Sequence, residues 1–430
     1  MNKIKAQTLK GFRDFLPRES RKRQFVINKL KSVFESFGFE PLETPALEYE
    51  EVLLGKYGEE GDKLMYRFTD NGGRKVALRY DQTVPLARVV AQYQNQLPIP
   101  FKRYQIQPVW RAENPQKGRF REFLQCDIDT VGTNSPLADV EIIATVVESL
   151  KQLGFKNFKI IINDRNIFSM MVKRGVVPEK DLTSIIRSID KLKKIGREGV
   201  LNELIEKGYG SEKATYIVQQ IEYFSPTENL QQIFTYLEKF GIPSSVYKFS
   251  PTLARGLDYY TGMIFEVEVE GYTVGSVGGG GRFDNLIGIF ADKQIPAVGF
   301  AFGFDRIVEA MTELNLFPAD LATVKVLVTV FPARNASHSD AGGSKEFEQK
   351  SIEVCSQLRS NNINTELWLD PETKLEKQLK YADQKGIPYV VIIGPEEAES
   401  NKVTLKNLAS QTQDKLITLD EAIRRIQSAE

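Results

Sequence analysis

The segment YQIQPVWRAENPQKGRFREFLQCDIDTV, residues 104–131, constrains the fold of this chain more than any other feature. It predicts two strands joined by a charged loop, and side chains alternate between the two faces of a strand. One predicted face is largely apolar and points to a core: Tyr104, Ile106, Trp110, Phe120, Leu124, Cys126 and Ile128. The other combines amides, arginines, carboxylates and one aromatic ring: Gln105, Gln107, Arg111, Glu113, Arg119, Arg121, Phe123, Gln125, Asp127 and Asp129.

The polar face of this predicted hairpin has an unusual composition. A solvated strand face more usually carries lysine, threonine and glutamate with little pattern. Arginine forks, amides and carboxylates held on one rigid face suit the floor of a site for a planar, anionic ligand. The alternative interpretation is a solvated hairpin with mixed charges. The rest of the chain favours the ligand site.

The overall charge excludes some classes of partner. Lysine plus arginine and aspartate plus glutamate both number 57, so no global field attracts nucleic acid or membranes. A nucleic-acid partner would therefore need local basic faces. No apolar run approaches membrane-spanning length, and the first residues lack the apolar core of a signal peptide. We expect a cytoplasmic protein that does not associate with membranes.

The rare residues exclude several kinds of catalytic site. Cys126 and Cys355 provide neither a disulfide framework nor a thiolate metal site, and Cys126 is expected to be a buried thiol. The single histidine, His338, lies in ARNASHSDAGG, which is typical of a loop. One histidine excludes Ser–His–Asp and Cys–His triads and every multi-histidine metal site. Any chemistry is expected to depend on positioning and charge.

The spacing of apolar residues indicates how the chain is organised. A helical stripe over residues 19–37 precedes an extended segment in which Pro41 and Pro45 forbid pairing on both sides, so this segment suits a sheet edge or a subunit interface. Residues 165–240 predict an inserted helical subdomain. From Val324, apolar strands alternate with helices, which predicts a separate α/β domain of about a hundred residues.

A run of four glycines, Gly278–Gly281, follows a predicted strand over residues 272–277 and precedes a predicted helix over residues 283–290. The run lacks the βαβ context of a dinucleotide fingerprint, and the sequence contains no Walker loop. It is interpreted either as a tight turn or as a close approach of the backbone to a ligand. Further along, a strand is predicted to turn at Gly303 into a helix that begins near Asp305.

Three segments, LETPALEYEEVL, VWRAENPQKGRFREF and VGFAFGFDRI, occur in the order of the three motifs of class II aminoacyl-tRNA synthetases. LARGLDYYTGMIFEV and TVGSVGGGGRFDNLI resemble the two histidine-specific segments of histidyl-tRNA synthetases. LRYDQTVPLAR resembles the amino-acid-binding segment of that family. The resemblance covers essentially the whole chain, and five motifs in the family's order, with RGLDYY intact, argue strongly against chance agreement.

The resemblance implies an α+β fold and a two-step reaction. The catalytic domain, built on an antiparallel sheet, would span residues 1–322 with a helical insertion at about 165–240, and an α/β anticodon-binding domain would span residues 323–430. L-histidine and ATP would give histidyl-adenylate, and the histidyl group would pass to the 3′ end of tRNA(His). Mg²⁺ would arrive with ATP, with no metal ligands assigned to the protein. A homodimer is also implied, with the segment around Pro45 at its interface.

The resemblance assigns ATP-binding roles to five residues. Arg111 would contact the α-phosphate and the carboxylate of the amino acid, and Arg119 would reach the outer phosphates. Glu113 would accept a hydrogen bond from the adenine amino group. Phe123 and Arg306 would enclose the adenine ring.

The histidine site and the catalytic arginines follow from the same motif matches. Arg255 matches the family's catalytic arginine and would supply positive charge at the α-phosphate, so the catalytic set is Arg111, Arg255 and Arg306. The histidine-binding set is Asp81, Gln82, Thr83, Arg111, Gln125, Asp129, Arg255, Tyr259 and Tyr260. Within it, Asp81, Thr83, Gln125 and Asp129 would surround the ammonium group. Tyr259 and Tyr260 would bind the imidazole, and a pocket that hydrogen-bonds a substrate N–H rejects apolar analogues strongly.

Structural interpretations and two other functions compete with this one. Arg255 with Asp258 could form a structural ion pair, and Tyr259 with Tyr260 could lie in a core. The regulatory subunit of ATP phosphoribosyltransferase shares the catalytic fold but typically lacks the RGLDYY segment and the anticodon-binding domain. A tRNA-sensing module would not need the arginines of the phosphate site. Candidate tRNA contacts, for which solvated side chains are the alternative, are Arg334, Lys374, Lys377 and Lys380.

Overall fold

The computed structural model describes residues 4–116, 118–254, 259–318, 321–332 and 343–428. Contacts within the chain divide it into two compact units, Met1–Phe317 and Pro318–Glu430. Among the described residues, no helix is both long enough and apolar enough to cross a membrane. His338 and Arg334 lie outside the described residues.

The α-helices are α1 (Pro17–Ser36), α2 (Glu50–Leu53), α3 (Gly58–Lys63), α4 (Thr83–Gln92), α5 (Pro136–Gln152), α6 (Asn166–Lys173), α7 (Leu182–Ile189), α8 (Leu192–Glu206), α9 (Ser211–Glu222), α10 (Glu228–Lys239), α11 (Phe304–Glu313), α12 (Gly343–Ser360), α13 (Leu375–Lys385), α14 (Pro395–Ser400) and α15 (Leu419–Gln427). The strands are β1 (Glu40–Pro41), β2 (Leu47–Tyr49), β3 (Arg67–Thr69), β4 (Lys75–Leu78), β5 (Phe101–Trp110), β6 (Glu122–Val131), β7 (Phe158–Asp164), β8 (Tyr247–Phe249), β9 (Met263–Val269), β10 (Gly278–Arg282), β11 (Ala297–Phe302), β12 (Val326–Val328), β13 (Thr365–Leu367), β14 (Tyr389–Ile392), β15 (Val403–Asn407) and β16 (Thr412–Ile417).

The first unit is built on an eight-stranded sheet in the order β1-β5-β6-β11-β10-β9-β7-β8. Neighbouring strands are antiparallel except at the two edges, where β1 pairs with β5 and β8 with β7 in parallel. Pro41 lies in the edge strand β1, as predicted from the inability of proline to pair on both sides. A largely antiparallel sheet with packed helices confirms the predicted α+β class.

Helices α1, α5, α10 and α11 cover one face of this sheet and form the main core with it. In α1, Val26, Leu30 and Phe34 recur every fourth residue and are fully buried. The helix begins at a proline, whose fixed φ suits the first turn, and the chain reverses at Gly38 with φ +75°. The apolar face predicted for the hairpin enters the same core, and the Cys126 thiol is fully buried there, as expected.

Of the two interpretations of the glycine run, the tight turn is wrong. The run is strand β10, paired on one side with β9 and on the other with β11, and the predicted strand over residues 272–277 is absent from the described strands. The predicted helix over residues 283–290 is reduced to a short 3₁₀ turn at Ile287–Ile289. Glycine has a low intrinsic strand propensity, so pairing on both sides, and not local preference, makes this segment a strand.

The predicted helical insertion contains helices α6–α10. The first four share a small apolar core of their own, which includes Phe168, Ile186 and Ile217. Helix α10 instead contributes Leu230, Ile233 and Leu237 to the main core, so it belongs structurally with the large sheet. The separately packed part of the insertion is therefore shorter than the helical sequence that suggested it.

The second unit contains a five-stranded sheet in the order β13-β12-β14-β15-β16. Strands β12, β13 and β14 are parallel, and β15 and β16 continue the sheet in antiparallel pairs. The α/β alternation predicted from residue 324 is present. Strand β16 and helix α14 had no counterpart in the sequence-based prediction, because short polar segments show no apolar period.

An ion pair between α5 and β10 gives a prediction about stability. The Asp139 carboxylate is completely buried and accepts from Arg282 Nε at 2.9 Å and from Nη2 at 2.5 Å. We expect Asp139→Asn to lower the free energy of unfolding of the first unit by about 3 kcal/mol, because it removes the closest counter-charge of a buried guanidinium and leaves only the Asp284 carboxylate, at 3.5 Å. Urea unfolding measures this, with the exposed Asp292→Asn as control. Equal stability of the two variants would contradict the prediction.

Candidate active site

A cavity of about 610 Å³ opens over the face of the eight-stranded sheet opposite the main core. Its lining includes the polar face of β6, the small residues of β10 and β11, and the chain on both sides of these strands. Most of the predicted polar face of the hairpin therefore lines this cavity; Gln105, Gln107 and Arg121 do not.

The floor of the cavity consists of strands with almost no side chains on this face. Ala301 of β11 is the cross-strand neighbour of Asp127 in β6, and Gly279 of β10 lies beyond it. Glu266 of β9 is the next residue in the same row. Because adjacent strands are about 4.8 Å apart, the backbones of the two acidic residues are separated by about 14 Å. A flat ligand can therefore lie directly on the backbone between them.

Gly299 in this floor, and Gly280 in the neighbouring strand, leave no room for a Cβ atom. A Cβ built on Gly299 would lie 1.9 Å from Oδ1 of Asp129, its cross-strand neighbour. One built on Gly280 would lie 2.0 Å from the carbonyl oxygen of Gly299. Glycine is required at these positions because the strands and the Asp129 carboxylate occupy the space that any other residue needs.

One end of the cavity carries Asp81, which lies just before α4. Oδ1 of Asp81 accepts from the Tyr57 hydroxyl at 2.8 Å and from the backbone N–H groups of Thr83 and Val84 at 3.1 Å each. Burial raises the pKa of Asp81 despite these hydrogen bonds, and burial also raises the pKa of Tyr57 well above its usual value. The tyrosine hydroxyl therefore stays protonated and fixes the carboxylate.

A buried charge cluster lies beside it on β5 and β6. Nη2 of Arg103 lies 2.7 Å from Oδ2 of Asp129, and the Gln125 amide donates to Oδ2 of Asp127 at 2.7 Å. Oδ1 of Asp127 and Oε1 of Gln125 are buried without a hydrogen-bond partner in the described part of the chain. Burial raises the pKa of both aspartates; Arg103 opposes the shift, and Asp129 adds to that of Asp127. This cluster has unused acceptors for a ligand that carries N–H groups.

Arg111 is held between two aromatic rings where β5 ends. Its Nε donates to the carbonyl oxygen of Tyr80 at 3.1 Å. The guanidinium carbon lies 4.4 Å from the centroid of the Tyr80 ring and 5.1 Å from that of Phe123. Packing against these two rings and the hydrogen bond to Tyr80 orient the guanidinium before any ligand binds, which suits recognition of a carboxylate or phosphate.

The loop between β5 and β6 carries the outer charged groups. Nη1 of Arg119 lies 3.4 Å from Oε2 of Glu113, and the Arg119 side chain is more than half exposed. Nε of Arg121 donates to the Glu113 carbonyl at 3.0 Å, and the backbone N–H of Arg121 donates to the carbonyl of Gly11 at 2.9 Å. The N-terminal segment thus anchors one end of the loop, and Arg119 keeps the freedom to reach a ligand.

Arg306 faces the cavity from the first turn of α11. Its Nη1 donates to the carbonyl oxygen of Ser276 at 2.8 Å, and burial lowers its pKa. A cation at a helix N-terminus opposes the helix macrodipole. An anionic or electron-rich ligand in the cavity gives this arginine a favourable partner.

The comparisons with known proteins agree with this geometry. Residues 11–307 match the family model of histidyl-tRNA synthetase, and residues 327–429 match the model of the anticodon binding domain. The histidine–tRNA ligase of Cytophaga hutchinsonii is 40% identical to this chain over an alignment that covers 97% of this chain and 98% of that protein. The chain belongs to the histidyl-tRNA synthetase family.

Solved structures of the same fold include a histidyl-tRNA synthetase from Nostoc sp. PCC 7120. It is 29% identical, with a TM-score of 0.84, and the alignment covers 100% of both chains. An ATP phosphoribosyltransferase regulatory subunit/histidyl-tRNA synthetase from Bacillus halodurans C is 22% identical, with a TM-score of 0.71, covering 89% of this chain and 97% of that one. The fold alone is thus shared with the competing regulatory function.

The structure brings most of the expected synthetase residues to this one cavity. They are Asp81, Thr83, Arg111, Glu113, Arg119, Phe123, Gln125, Asp129, Tyr259, Tyr260 and Arg306. Gln82 is not in the lining: it is fully buried, and its amide donates to the carbonyls of Gln107 and Gln125, so it supports the strands beneath. Arg255 and Asp258 lie outside the described residues.

Two residues of the hairpin face differently from the sequence-based expectation. Phe120 was expected in the core but lines the cavity, where the Arg13 guanidinium carbon lies 3.2 Å from its ring centroid. Trp110, also expected in the core, is partly exposed and donates from Nε1 to Glu122 at 2.9 Å. Side chains alternate between the two faces only within a strand. Trp110 is the last residue of β5 and Phe120 precedes β6, so neither follows the alternation of the strand interiors.

Sequence reasoning missed other residues that build the site. Arg103 lies on the same face as Gln105, and the period-two pattern could have found it. Tyr57 lies in a loop with no periodic signal, and only the fold places it beside Asp81. Asp190 of the helical insertion also lines the cavity. Asp190 is far along the chain from the strands of the site, so no local sequence pattern indicated that it lines the cavity.

Proposed function

We propose that the buried end of the cavity binds histidine and that its charged outer half binds ATP, with Arg111 between them. The chain is a histidine–tRNA ligase, a class II aminoacyl-tRNA synthetase that joins histidine to tRNA(His). The observation that carries the division of the cavity is the contrast between its two ends. Buried carboxylates and amide oxygens occupy one end, and arginines with aromatic rings occupy the other.

The histidine end is assigned by counting hydrogen-bond donors and acceptors. The ammonium group has three N–H donors, and Asp81, Thr83, Gln125 and Asp129 offer oxygen acceptors around it. Tyr259 and Tyr260 are proposed to bind the imidazole. Both line the cavity, and Tyr260 is almost fully buried. Their ring centroids are 5.0 Å apart, which holds the pair in a defined arrangement.

The ATP end is assigned by charge and shape. Phe123 and Arg306 are proposed to enclose the adenine ring, and Glu113 to accept from its amino group. Arg119 is proposed to contact the outer phosphates, since its side chain is the most exposed of this group and lies on the loop. The 3.4 Å contact between Arg119 and Glu113 would loosen as each residue takes up its part of the nucleotide.

The first chemical step joins the two ends of the cavity. A carboxylate oxygen of histidine attacks the α-phosphorus of ATP, a P–O bond forms, and the bond to the pyrophosphate leaving group breaks. Arg111 is proposed to bridge the carboxylate and the α-phosphate, which aligns the reactants and neutralises charge as it develops. Arg255 is proposed to add positive charge at the same phosphorus, completing the catalytic set of Arg111, Arg255 and Arg306.

The second step transfers the histidyl group to tRNA. A hydroxyl of the 3′-terminal ribose attacks the carbonyl carbon of the adenylate, and AMP leaves. In the second unit, Lys374, Lys377 and Lys380 are exposed at the start of α13 and follow one another at helical spacing. They are proposed to contact the phosphates of the anticodon loop, since lysine positions nucleic acid through its backbone.

Magnesium is proposed to enter with ATP. In the described residues, no group of three or more histidine, cysteine, aspartate or glutamate side chains is arranged to hold a metal ion. The ATP phosphates would supply most of its ligands. When bound, Mg²⁺ would neutralise phosphate charge, and the roles given to the arginines do not depend on it. We also propose a cytoplasmic location, where tRNA serves translation.

ATP–pyrophosphate exchange with each of the twenty amino acids tests the proposed function. We expect exchange with histidine alone, and its loss in Arg255→Ala. Exchange that survives in Arg255→Ala would move catalysis away from that residue and leave the reaction in place. Absence of exchange from folded protein would overturn the adenylation step and favour a regulatory role. The match of residues 327–429 to an anticodon binding domain argues against that role, because the regulatory subunit typically lacks this domain.

A homodimer is proposed from an exposed apolar surface beside Pro45. The three-stranded sheet β2-β4-β3 presents Leu47, Tyr49 and Phe68 on one face, and these side chains are 42–54% exposed. Val76 of the central strand lies between them on the same face. A contiguous apolar face of this kind marks a protein–protein interface, and a second copy of the chain is the proposed partner.

Charge placed on this apolar face is expected to separate the dimer. We predict that Tyr49→Asp with Phe68→Asp raises the dissociation constant of the dimer at least about 30-fold, the effect of losing an interface hot spot. Sedimentation velocity measures it, with Tyr223→Asp, on an exposed tyrosine of the helical insertion, as control. A wild-type protein that is monomeric at micromolar concentration would contradict the proposal.

A further inference from the structure

We propose that Arg13 is a positioning residue for ATP, because it holds the loop between β5 and β6 against the start of α11 and so sets the width of the nucleotide end of the cavity. Arg13 belongs to the N-terminal strap, residues 9–16, which precedes α1. This inference rests on the proposed ATP site. It gives a role to an arginine that the other assignments leave unused.

The backbone of the N-terminal strap lies directly against the loop. The carbonyl oxygen of Gly11 accepts from the backbone N–H of Arg121 at 2.9 Å. Gly11 has φ +90°, in the left-handed region that favours glycine. A Cβ built on it would lie 2.8 Å from Cγ and Cδ of Arg121. The strap therefore approaches the loop more closely than a residue with a side chain allows.

The side chain of Arg13 supports the loop beside this contact. Its guanidinium carbon lies 3.2 Å from the centroid of the Phe120 ring. Phe120 lines the cavity, whereas Arg13 is not in the lining. The guanidinium therefore packs on Phe120 from outside the cavity. Because an aromatic face attracts a cation, this contact holds the Phe120 ring in place.

The same guanidinium reaches the start of α11. Nη2 of Arg13 lies 3.2 Å from Oδ2 of Asp305. Asp305 is the second residue of α11, and its neighbour Arg306 is proposed to enclose the adenine ring. A second cation, Arg23 of α1, donates to Oδ1 of the same carboxylate. Arg13 thus joins the helix to the loop.

The contact between Arg13 and Asp305 has room to tighten. Nε and Nη2 of Arg13 and Oδ2 of Asp305 are buried without a hydrogen-bond partner among the described residues, so the 3.2 Å approach is an ion pair without a directed hydrogen bond. A buried donor without a partner costs free energy. A small movement of the loop toward α11 as it closes on a nucleotide would supply this hydrogen bond. Nucleotide binding and the contact then favour each other.

The charges at the nucleotide end oppose such closure in the absence of a ligand. Arg119, next to Phe120, and Arg306, next to Asp305, both line the cavity. Burial lowers the pKa of Arg306, and the positive charge of Arg119 also lowers it. Repulsion between these two cations drives the loop away from α11. Arg13 opposes this movement because it contacts both segments.

Pyrophosphate exchange with the full chain tests this role. We expect Arg13→Met, which keeps the bulk of the side chain but not its charge, to lower kcat/KM for ATP about 10- to 100-fold, as for a reacting group misplaced by about 1 Å. KM for histidine, measured at saturating ATP, should stay at the wild-type value, because histidine is proposed to bind at the other end of the cavity. Arg13→Lys should recover most of the loss, since an ammonium group can still face Phe120 and Asp305.

Arg23→Met is the matched control. Arg23 binds the same carboxylate, but its guanidinium carbon lies 3.9 Å from the ring centroid of Phe15 and 4.8 Å from that of Phe304. Both variants remove one cation from Asp305, and both are expected to lose stability. Only Arg13→Met removes the contact with Phe120, so Arg23→Met should keep the wild-type kcat/KM for ATP.

Unchanged kcat/KM for ATP in Arg13→Met would overturn the inference. Equal losses for ATP and histidine would also overturn it, because they would indicate a general structural role. The same holds if Arg23→Met impairs ATP use as much as Arg13→Met, since the contact with the loop would then be irrelevant. A lysine variant as impaired as the methionine variant would show that the charge does not matter.

Two further outcomes remain decisive. If Arg13→Met does not fold, Gly11→Ala decides, because its Cβ displaces the strap from Arg121 and leaves every charge in place. It should also lower kcat/KM for ATP selectively, and wild-type kinetics would overturn the inference. If the wild type shows no exchange with histidine, the proposed function fails before this inference is reached. Failure of the two proposals is therefore distinguishable.

Discussion

Replacing Arg111 with lysine is expected to lower the rate of histidine activation by about 10³-fold, similar to the loss of a preorganised donor that stabilises a developing charge. Lysine keeps the positive charge but not the planar fork. It cannot donate to Tyr80 and stack between Tyr80 and Phe123 while also bridging a carboxylate and a phosphate. The expected loss is therefore mainly in kcat, because the bridge is needed most when the new P–O bond forms.

Pyrophosphate exchange at saturating histidine and ATP measures this loss. Arg74→Lys is the control, since Arg74 forms an exposed ion pair with Asp70. The substrate affinities of Arg111→Lys, measured by calorimetry, should change much less than kcat. An Arg111→Lys enzyme with the activity of the control would show that Arg111 does not contact the reacting groups.

Replacing Gly299 with alanine is expected to abolish most histidine activation and to destabilise the first unit. The new Cβ would lie 1.9 Å from Asp129 Oδ1 and 2.8 Å from the carbonyl oxygen of Ile128. Either the carboxylate leaves Arg103 or β11 moves away from β6. Both changes disturb the floor of the cavity, and overpacking of a tight site costs about 1–3 kcal/mol.

A double variant tests whether the Asp129 carboxylate causes the damage. If it does, Gly299→Ala should cost much less stability in an Asp129→Ala background than in the wild type, because the closest clashing atoms are gone and only the 2.8 Å approach to the Ile128 carbonyl oxygen remains. Gly210→Ala is the control, since a Cβ on Gly210 meets nothing within 4 Å. Thermal unfolding and pyrophosphate exchange report the two effects. Full additivity of the two substitutions would contradict the proposed clash.

Several features of the fold were predictable because they have a strong local signal. The 3.6-residue stripe of α1 and the alternation of β5 and β6 come from short stretches whose apolar residues are spaced for burial. The edge position of Pro41 follows from the missing N–H of proline. The strand that turns at Gly303 into α11 was predicted in the same way.

The glycine strand β10 was not predictable from its own residues. Gly278–Gly281 has no side chains to show a period, and glycine prefers neither strand nor helix. Its pairing with β11 is set by residues about twenty positions away, and β11 pairs in turn with β6, more than 160 residues earlier. The backbone of this segment is determined by its neighbours in space.

The sequence by itself determined the family, the α+β class and the residue types gathered for the site, because motif order and alternation survive without knowledge of the fold. Only the tertiary structure decided which of those residues are buried, which are paired and which keep free hydrogen-bond acceptors. It placed Gln82 beneath the strands, paired Arg103 with Asp129, and buried Asp127 with an unused oxygen. Burial and pairing depend on groups brought together from distant parts of the chain, and they set the charge and hydrogen-bonding capacity on which binding depends.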